Sequence, residues 1–327
     1  MLSIFRTNQI FTGILYIFYI VALWHPVFVF PSPPVHQTSG IFGIKLNDWS
    51  EGHLFSSQVV AILLLWGQAL LVSTLVNRHR ISPDSNLIPG LIYILVTSCF
   101  KEFLHLSPVL VANTFFLIAL YNLFDTYKKT SCADLLFNTG LWLGIASLFY
   151  MPYLYFIVFC FIAINILRSA NLKEYLIVLT GLMVTYFLAG VYFFWQDQLP
   201  WFFEQQFHRQ AGFIIPHLKW DNAAGIPAGI FLTLILFTLF NAGSYTYKQN
   251  ISTQKFISVL FLALFFGGVV VLFQQQISLD NLLITAIPVG IFLGITFSSI
   301  RNRLAGEMFH LILFTAVILT HYFLIYE

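Results

Sequence analysis

The sequence predicts an all-α fold: a polytopic transmembrane helical bundle of about eleven spans, with a cytoplasmic N-terminus, an extracytoplasmic C-terminus and one integral-membrane domain over residues 1–327. Three observations predict it. Hydrophobic residues make up 59% of the chain and charged residues only 9%, against roughly 25% charged in soluble domains. Mean hydropathy is +0.84, and no water-soluble core absorbs so much apolar surface. Finally, Lys and Arg recur in one rhythm, at Arg6, Arg78 and Arg80, Lys128 and Lys129, Arg168 and Lys173, Lys248 and Lys255, and Arg301 and Arg303, with two apolar stretches between successive clusters. Because basic residues near span ends stay cytoplasmic, this rhythm sets the orientation.

Taking roughly 17 to 25 residues per crossing, the spans fall near residues 10–30, 54–76, 87–100, 107–124, 135–150, 152–167, 175–196, 225–243, 256–273, 281–299 and 308–325. The first has too long an apolar run for a signal peptide and lacks a small-x-small cleavage site, so it reads as retained. The third, fifth and sixth are short, which predicts tilting, local thinning or a water-filled lining. Ser107-Pro108 opens the fourth. Met151-Pro152-Tyr153 reads as a tight hairpin between the fifth and sixth, with a kink in one long buried helix as the alternative; the basic rhythm favours the hairpin.

Two extracytoplasmic segments have room for chemistry, residues 31–53 and 197–224, and no soluble domain is present. The first begins Pro31-Ser32-Pro33-Pro34, an extended polyproline pattern. In the second, a helix opened by Pro200 would set Phe203 and Phe207 one turn apart, as suits a helix lying in the interface. A net charge of +2, divided between loops, argues against nucleic-acid binding. Cys99, Cys132 and Cys160 offer no disulfide framework, and no metal-ligand spacing or internal repeat emerges. The sequon Asn250-Ile251-Ser252 falls in a cytoplasmic loop, in keeping with a bacterial membrane.

Candidate chemistry therefore lies outside. Asp48 and Glu51, three apart beside His53, would share a helical face and supply a general base; a capping box at the second span is the plainer account, and the two roles can coexist. Lys101, Glu102 and His105 occupy a short turn close to hydrocarbon, where a charge needs a partner or water; local Lys101–Glu102 pairing with the lysine snorkelling outward explains them as well as a functional role does. His208, Arg209, His217 and Lys219 would hold a phosphate or diphosphate, or belong with Trp201, Phe202, Phe203, Phe207 and Trp220 to an anchoring interfacial belt. Asp and Glu are absent from span centres, which lowers a transporter reading. Gly140 and Gly144 form a small-residue face able to dock partner membrane proteins, so a non-catalytic envelope subunit stands beside an enzyme.

The order of an inside N-terminus, an acidic first outer loop (Asp48 or Glu51), an acidic second one (Glu102) and the helix pair from Gly140 through Pro152 to Arg168 resembles polyprenyl-dependent glycosyltransferases of the C-type membrane fold. The chain as a whole is also similar to an uncharacterised family of bacterial polytopic inner-membrane proteins, which carries no assigned chemistry. The first resemblance implies transfer of a sugar from a polyprenyl-phosphate carrier, with inversion, at the outer face of the cytoplasmic (inner) membrane. In it Asp48, then Glu51 or Glu102, acts as base, and Arg209, aided by His208 or Lys219, stabilises the departing phosphate. No cofactor is required, although a divalent metal is compatible with the site.

Overall fold

The computed structural model describes residues 2–6, 10–29, 39–208, 225–247, 249–272, 279–300 and 302–323. They are helical, with no strand among the described residues. The helices are α1 Leu2–Phe5, α2 Ile10–Val29, α3 Ile41–Gly52, α4 Leu54–Arg78, α5 Ile88–Val96, α6 Pro108–Asp125, α7 Ala133–Phe149, α8 Phe156–Leu167, α9 Leu172–Trp195, α10 Leu199–Phe203, α11 Gly225–Phe240, α12 Ala242–Thr246, α13 Ile251–Leu272, α14 Ala286–Ser299 and α15 Arg303–Phe323. Seven segments are long and apolar enough to cross a membrane: α2, α4, α6, α9, α13, the stretch Leu279–Ser299 that ends in α14, and α15. These seven mark a multi-pass membrane protein. Helices also stand at the other four places the sequence marks, but α5, α7, α8 and α11 are shorter.

Burial explains how α5 can be short. Every residue from Ile88 to Val96 is buried, between α4 and α14, so the helix meets protein rather than lipid. The backbone beyond it leaves helical geometry within the protein, where side chains meet freed carbonyls. Thr97 Oγ1 donates to Tyr93 O at 2.9 Å and Ser98 Oγ to Ile94 O at 2.8 Å. Neither a thinned membrane nor a water-lined face is needed for this helix.

α7 and α9 run parallel and touch through glycine. Gly140 meets Val178, Gly144 meets Thr185, and Gly181 meets Phe137 and Leu141; a Cβ at Gly140 would sit 2.8 Å from the Val178 carbonyl carbon. The small-residue face that sequence reading offers to a partner is thus filled by α9 of the same chain. Between the two, α8 doubles back after the Met151–Tyr155 3₁₀ turn, since Arg168 at its far end donates to Lys129 O at 3.0 Å, just before α7 begins. This is the geometry of a hairpin, and a continuous kinked helix does not fit it.

The basic clusters gather at one end of the bundle. Arg6 donates to Ile300 O at 3.2 Å, Lys255 to Leu167 O at 3.0 Å, Thr253 to Arg80 O at 3.3 Å, and Arg78 pairs with Asp125 at 2.7 Å. The opposite end carries Lys45 and Lys101 against Asp48, Glu51, Glu102, Asp197, Glu204 and Asp280 among the described residues, and is called the acidic end below.

Candidate functional site

Glu102 is positioned by its apolar neighbours. Phe100 and Phe103 are buried with ring centroids 4.7 Å apart, and the 3₁₀ turn Lys101–Phe103 between them leaves Lys101 and Glu102 half-buried at the rim. Ser107 then starts α6 as expected, its hydroxyl accepting Leu110 N–H at 3.1 Å with Pro108 next in line. Facing this turn is a second one, Leu279–Thr285, which carries Asp280 with 2% of its surface exposed. The Glu102 carboxylate acts on Asp280 as a like charge, and Asp280 Oδ1 has no hydrogen-bond partner among the described residues. Around them, Tyr150 donates to Asn281 Oδ1 at 2.8 Å, Asn113 donates to Leu283 O at 3.0 Å, and the Tyr153 hydroxyl bonds Asn113. Burial pushes His105 down to about 4, against a hydrogen bond with the Glu102 backbone, so its imidazole is neutral at pH 7.

Asp48 and Glu51 lie elsewhere, on α3, a separate helix not anticipated from the sequence. Neither caps the second span: α4 begins after His53, whose side chain makes no cap bond, with both acids inside α3 before it. Both are exposed, and the Asp48 carboxylate forms no hydrogen bond or ion pair among the described residues. His53 stacks on Trp49, centroids 5.6 Å apart. α3 rests on α6 and α7.

The second outer segment meets the first through a residue sequence reading passed over. α10 continues as a π-helical turn, Glu204–His208, that stacks Phe203 on Phe207 with centroids 6.0 Å apart. The same turn buries Gln206 completely. Its Oε1 accepts Ile41 N–H at 2.9 Å, and its Nε2 donates to Ser147 O at 3.0 Å. Gly40 N–H reaches Phe149 O at 2.8 Å, and Lys45 lies 4.8 Å above the Phe193 ring. Four consecutive residues, 147–150, thus hold α3, the Gln206 turn and, through Tyr150, the loop of Asp280. The His208 side chain, Arg209, His217, Lys219 and the Pro31–Pro34 stretch lie outside the described residues.

Asp280 and Gln206 are the main additions to the predicted site. Asp280 had one legible sign, a carboxylate at the mouth of an apolar run; Gln206 had none. A cleft of about 200 Å³ lies at the basic end, lined by Pro83, Tyr245, Thr296 and Ser299 among others, and holds none of the predicted residues. No group of three or more His, Cys, Asp or Glu side chains suited to a metal occurs among the described residues. No family model, curated protein or solved structure matches this chain.

Proposed function

We propose that this chain is an envelope enzyme of the bacterial cytoplasmic membrane, crossing it eleven times with its N-terminus inside. Its proposed reaction transfers a sugar from a polyprenyl-phosphate carrier to an acceptor hydroxyl at the outer face. The carrying observation is the pairing of half-buried Glu102 with buried Asp280 at the acidic end. Two carboxylates held together away from bulk water take up a proton more readily than either alone. Glu102, at the rim, is therefore the better general base, in place of exposed Asp48. Lys101 offers a cation to the departing phosphate, and Arg209 of the second outer segment a second one. The orientation draws support from the convergence of the basic ends, which the positive-inside rule assigns to the cytoplasm. The alternative of a non-catalytic subunit loses its docking face to α9.

The test uses the full-length protein in a native lipid extract, following release of polyprenyl phosphate from its sugar-linked form. Glu102→Gln and Asp280→Asn should each abolish release with thermal unfolding unchanged, while Asp48→Asn should leave release near wild type. Wild-type turnover in both Glu102→Gln and Asp280→Asn would reject the reading.

A further inference from the structure

Every hydroxyl lining the cleft at the basic end has given its proton to the fold. Ser244 Oγ donates to Asn241 O at 2.7 Å, Thr296 Oγ1 to Phe292 O at 3.1 Å, and Ser299 Oγ to Ile295 O at 2.8 Å. With the Thr296 proton so committed, the 2.8 Å bond between the Tyr245 and Thr296 hydroxyls is donated by Tyr245. What these oxygens still offer is lone pairs. The cleft, about 200 Å³ and lined by these residues with Pro83 and Gln249, therefore presents acceptors to whatever enters it.

The cleft is held open by the fold and bordered by charge of both signs. Asn86 Nδ2 donates to Asp84 O at 3.2 Å and to Ser298 Oγ at 3.1 Å, which fixes the turn of Pro83 against α14. Thr296 and Ser299, three apart, are neighbours on one face of that helix. Asp84 follows Pro83, exposed, its carboxylate unbonded among the described residues. Arg6 spends one guanidinium donor, at 3.2 Å, on the carbonyl of Ile300, itself a lining residue. The Gln249 side-chain amide forms no hydrogen bond among the described residues. Beside the cleft runs lipid-facing surface: Leu232, Leu236, Leu239 and Phe240 are exposed along one face of α11, which leads through Asn241 into α12 with Ser244 and Tyr245.

We propose that the cleft binds the headgroup of one phospholipid bearing a primary amine. The ammonium sits on the hydroxyl oxygens and Asp84, the phosphate faces Arg6 and Gln249, and the acyl chains lie along the apolar face of α11. An ammonium brings three N–H donors and no acceptor, the complement of a lining whose protons are spent. A trimethylated amine carries the same charge without those donors, and a free phosphate offers only acceptors. The cleft is smaller than the roughly 300–1,000 Å³ of pockets that enclose whole ligands, so it takes a headgroup and leaves the chains outside. This site lies apart from the acidic end and does not depend on sugar transfer.

The test weighs the full-length protein with its bound lipid by native mass spectrometry, supplying phosphatidylethanolamine, phosphatidylcholine and phosphatidylglycerol of identical acyl chains in turn. One phosphatidylethanolamine should stay bound, and the other two should be held about ten-fold less tightly, the effect of losing a charged hydrogen bond. Ser244→Ala and Ser299→Ala, each removing one acceptor oxygen, should weaken phosphatidylethanolamine several-fold with thermal unfolding unchanged. Free phosphoethanolamine in excess should not displace the lipid. Equal retention of the three lipids, wild-type retention in both variants, or displacement by phosphoethanolamine would overturn the proposal. Should either variant unfold, Gln249→Leu decides: weakened retention of phosphatidylethanolamine supports the site, and wild-type retention refutes it.

Discussion

The two ends of the bundle handle charge in opposite ways. At the basic end Arg78 meets Asp125 at 2.7 Å, Arg168 meets Glu174 at 2.9 Å, and Lys255 spends its ammonium on a carbonyl. At the acidic end the turn of Glu102 packs against the turn of buried Asp280, and Glu102 acts on Asp280 as a like charge. Oppositely paired charges tie helices together; crowded like charges cost stability and point to chemistry. Residues 147–150, at the end of α7 and just past it, brace the acidic end, and α7 stands on its glycine contact with α9. Breaking that contact should have the largest effect. In Gly140→Leu the Cβ alone would lie 2.8 Å from the Val178 carbonyl carbon, so the helices must separate, at about 3 kcal/mol or more. Thermal unfolding in detergent checks this, and a wild-type midpoint would show that α7 does not carry the acidic end.

The Gln206 clasp is the next way to separate the ends. Gln206→Ala leaves the Ile41 N–H and the Ser147 carbonyl without that partner inside a buried cluster, a loss of about 1–3 kcal/mol. Hydrogen exchange should report it first in α3 and around Ser147, with the basic end unaffected. Uniform exchange across both ends would mean that the clasp is not local.

What the sequence disclosed of this contrast follows from range. Basic residues near span ends are read one loop at a time, and the observed convergence of Arg6, Arg80, Arg168 and Lys255 on one end agrees with that reading. Helix positions were legible for the same reason, including the Ser107-Pro108 start and the Phe203–Phe207 stacking. Contacts between residues far apart in the chain were not. Glu102 and Asp280 are joined only by the fold, as are Gln206 and Ile41, and a glycine face looks alike whether a partner or the chain's own next-but-one helix fills it. The α3 helix was read as part of a loop because 12 residues do not span a bilayer and length was the measure applied. Asp48 and Glu51 were singled out as acids in a loop, with nothing local to tell an exposed pair from a buried one.

One property should be shared by both ends. His79, at the basic end, packs against Tyr121, Phe124 and Phe256, and burial pushes it down to about 4 despite Asp125; His105 reaches about 4 the same way. The unfolded chain binds these protons near the ordinary 6.5, the folded one only near 4. Stability is therefore intact above 6.5 and falls as pH drops towards 4, by roughly 1–2 kcal/mol per histidine at pH 5. His79→Gln and His105→Gln should each flatten part of that fall in the thermal midpoint. A fall unchanged in both variants would place the acid sensitivity in other groups.

The smallest effect sharpens the contrast most. Arg78 and Asp125 form the shortest ion pair described at the basic end, and the Arg78 guanidinium also covers the Tyr121 ring at 4.9 Å. Yet the Arg78 side chain is 53% exposed, so water screens the pair and competes for both partners. Arg78→Ala should cost no more than about 1 kcal/mol, less in high salt. If charge pairing at this end only fastens loops, unfolding should show Arg78→Ala milder than Gln206→Ala although it removes the stronger formal interaction. The reverse order would mean that the basic end bears the load assigned to α7.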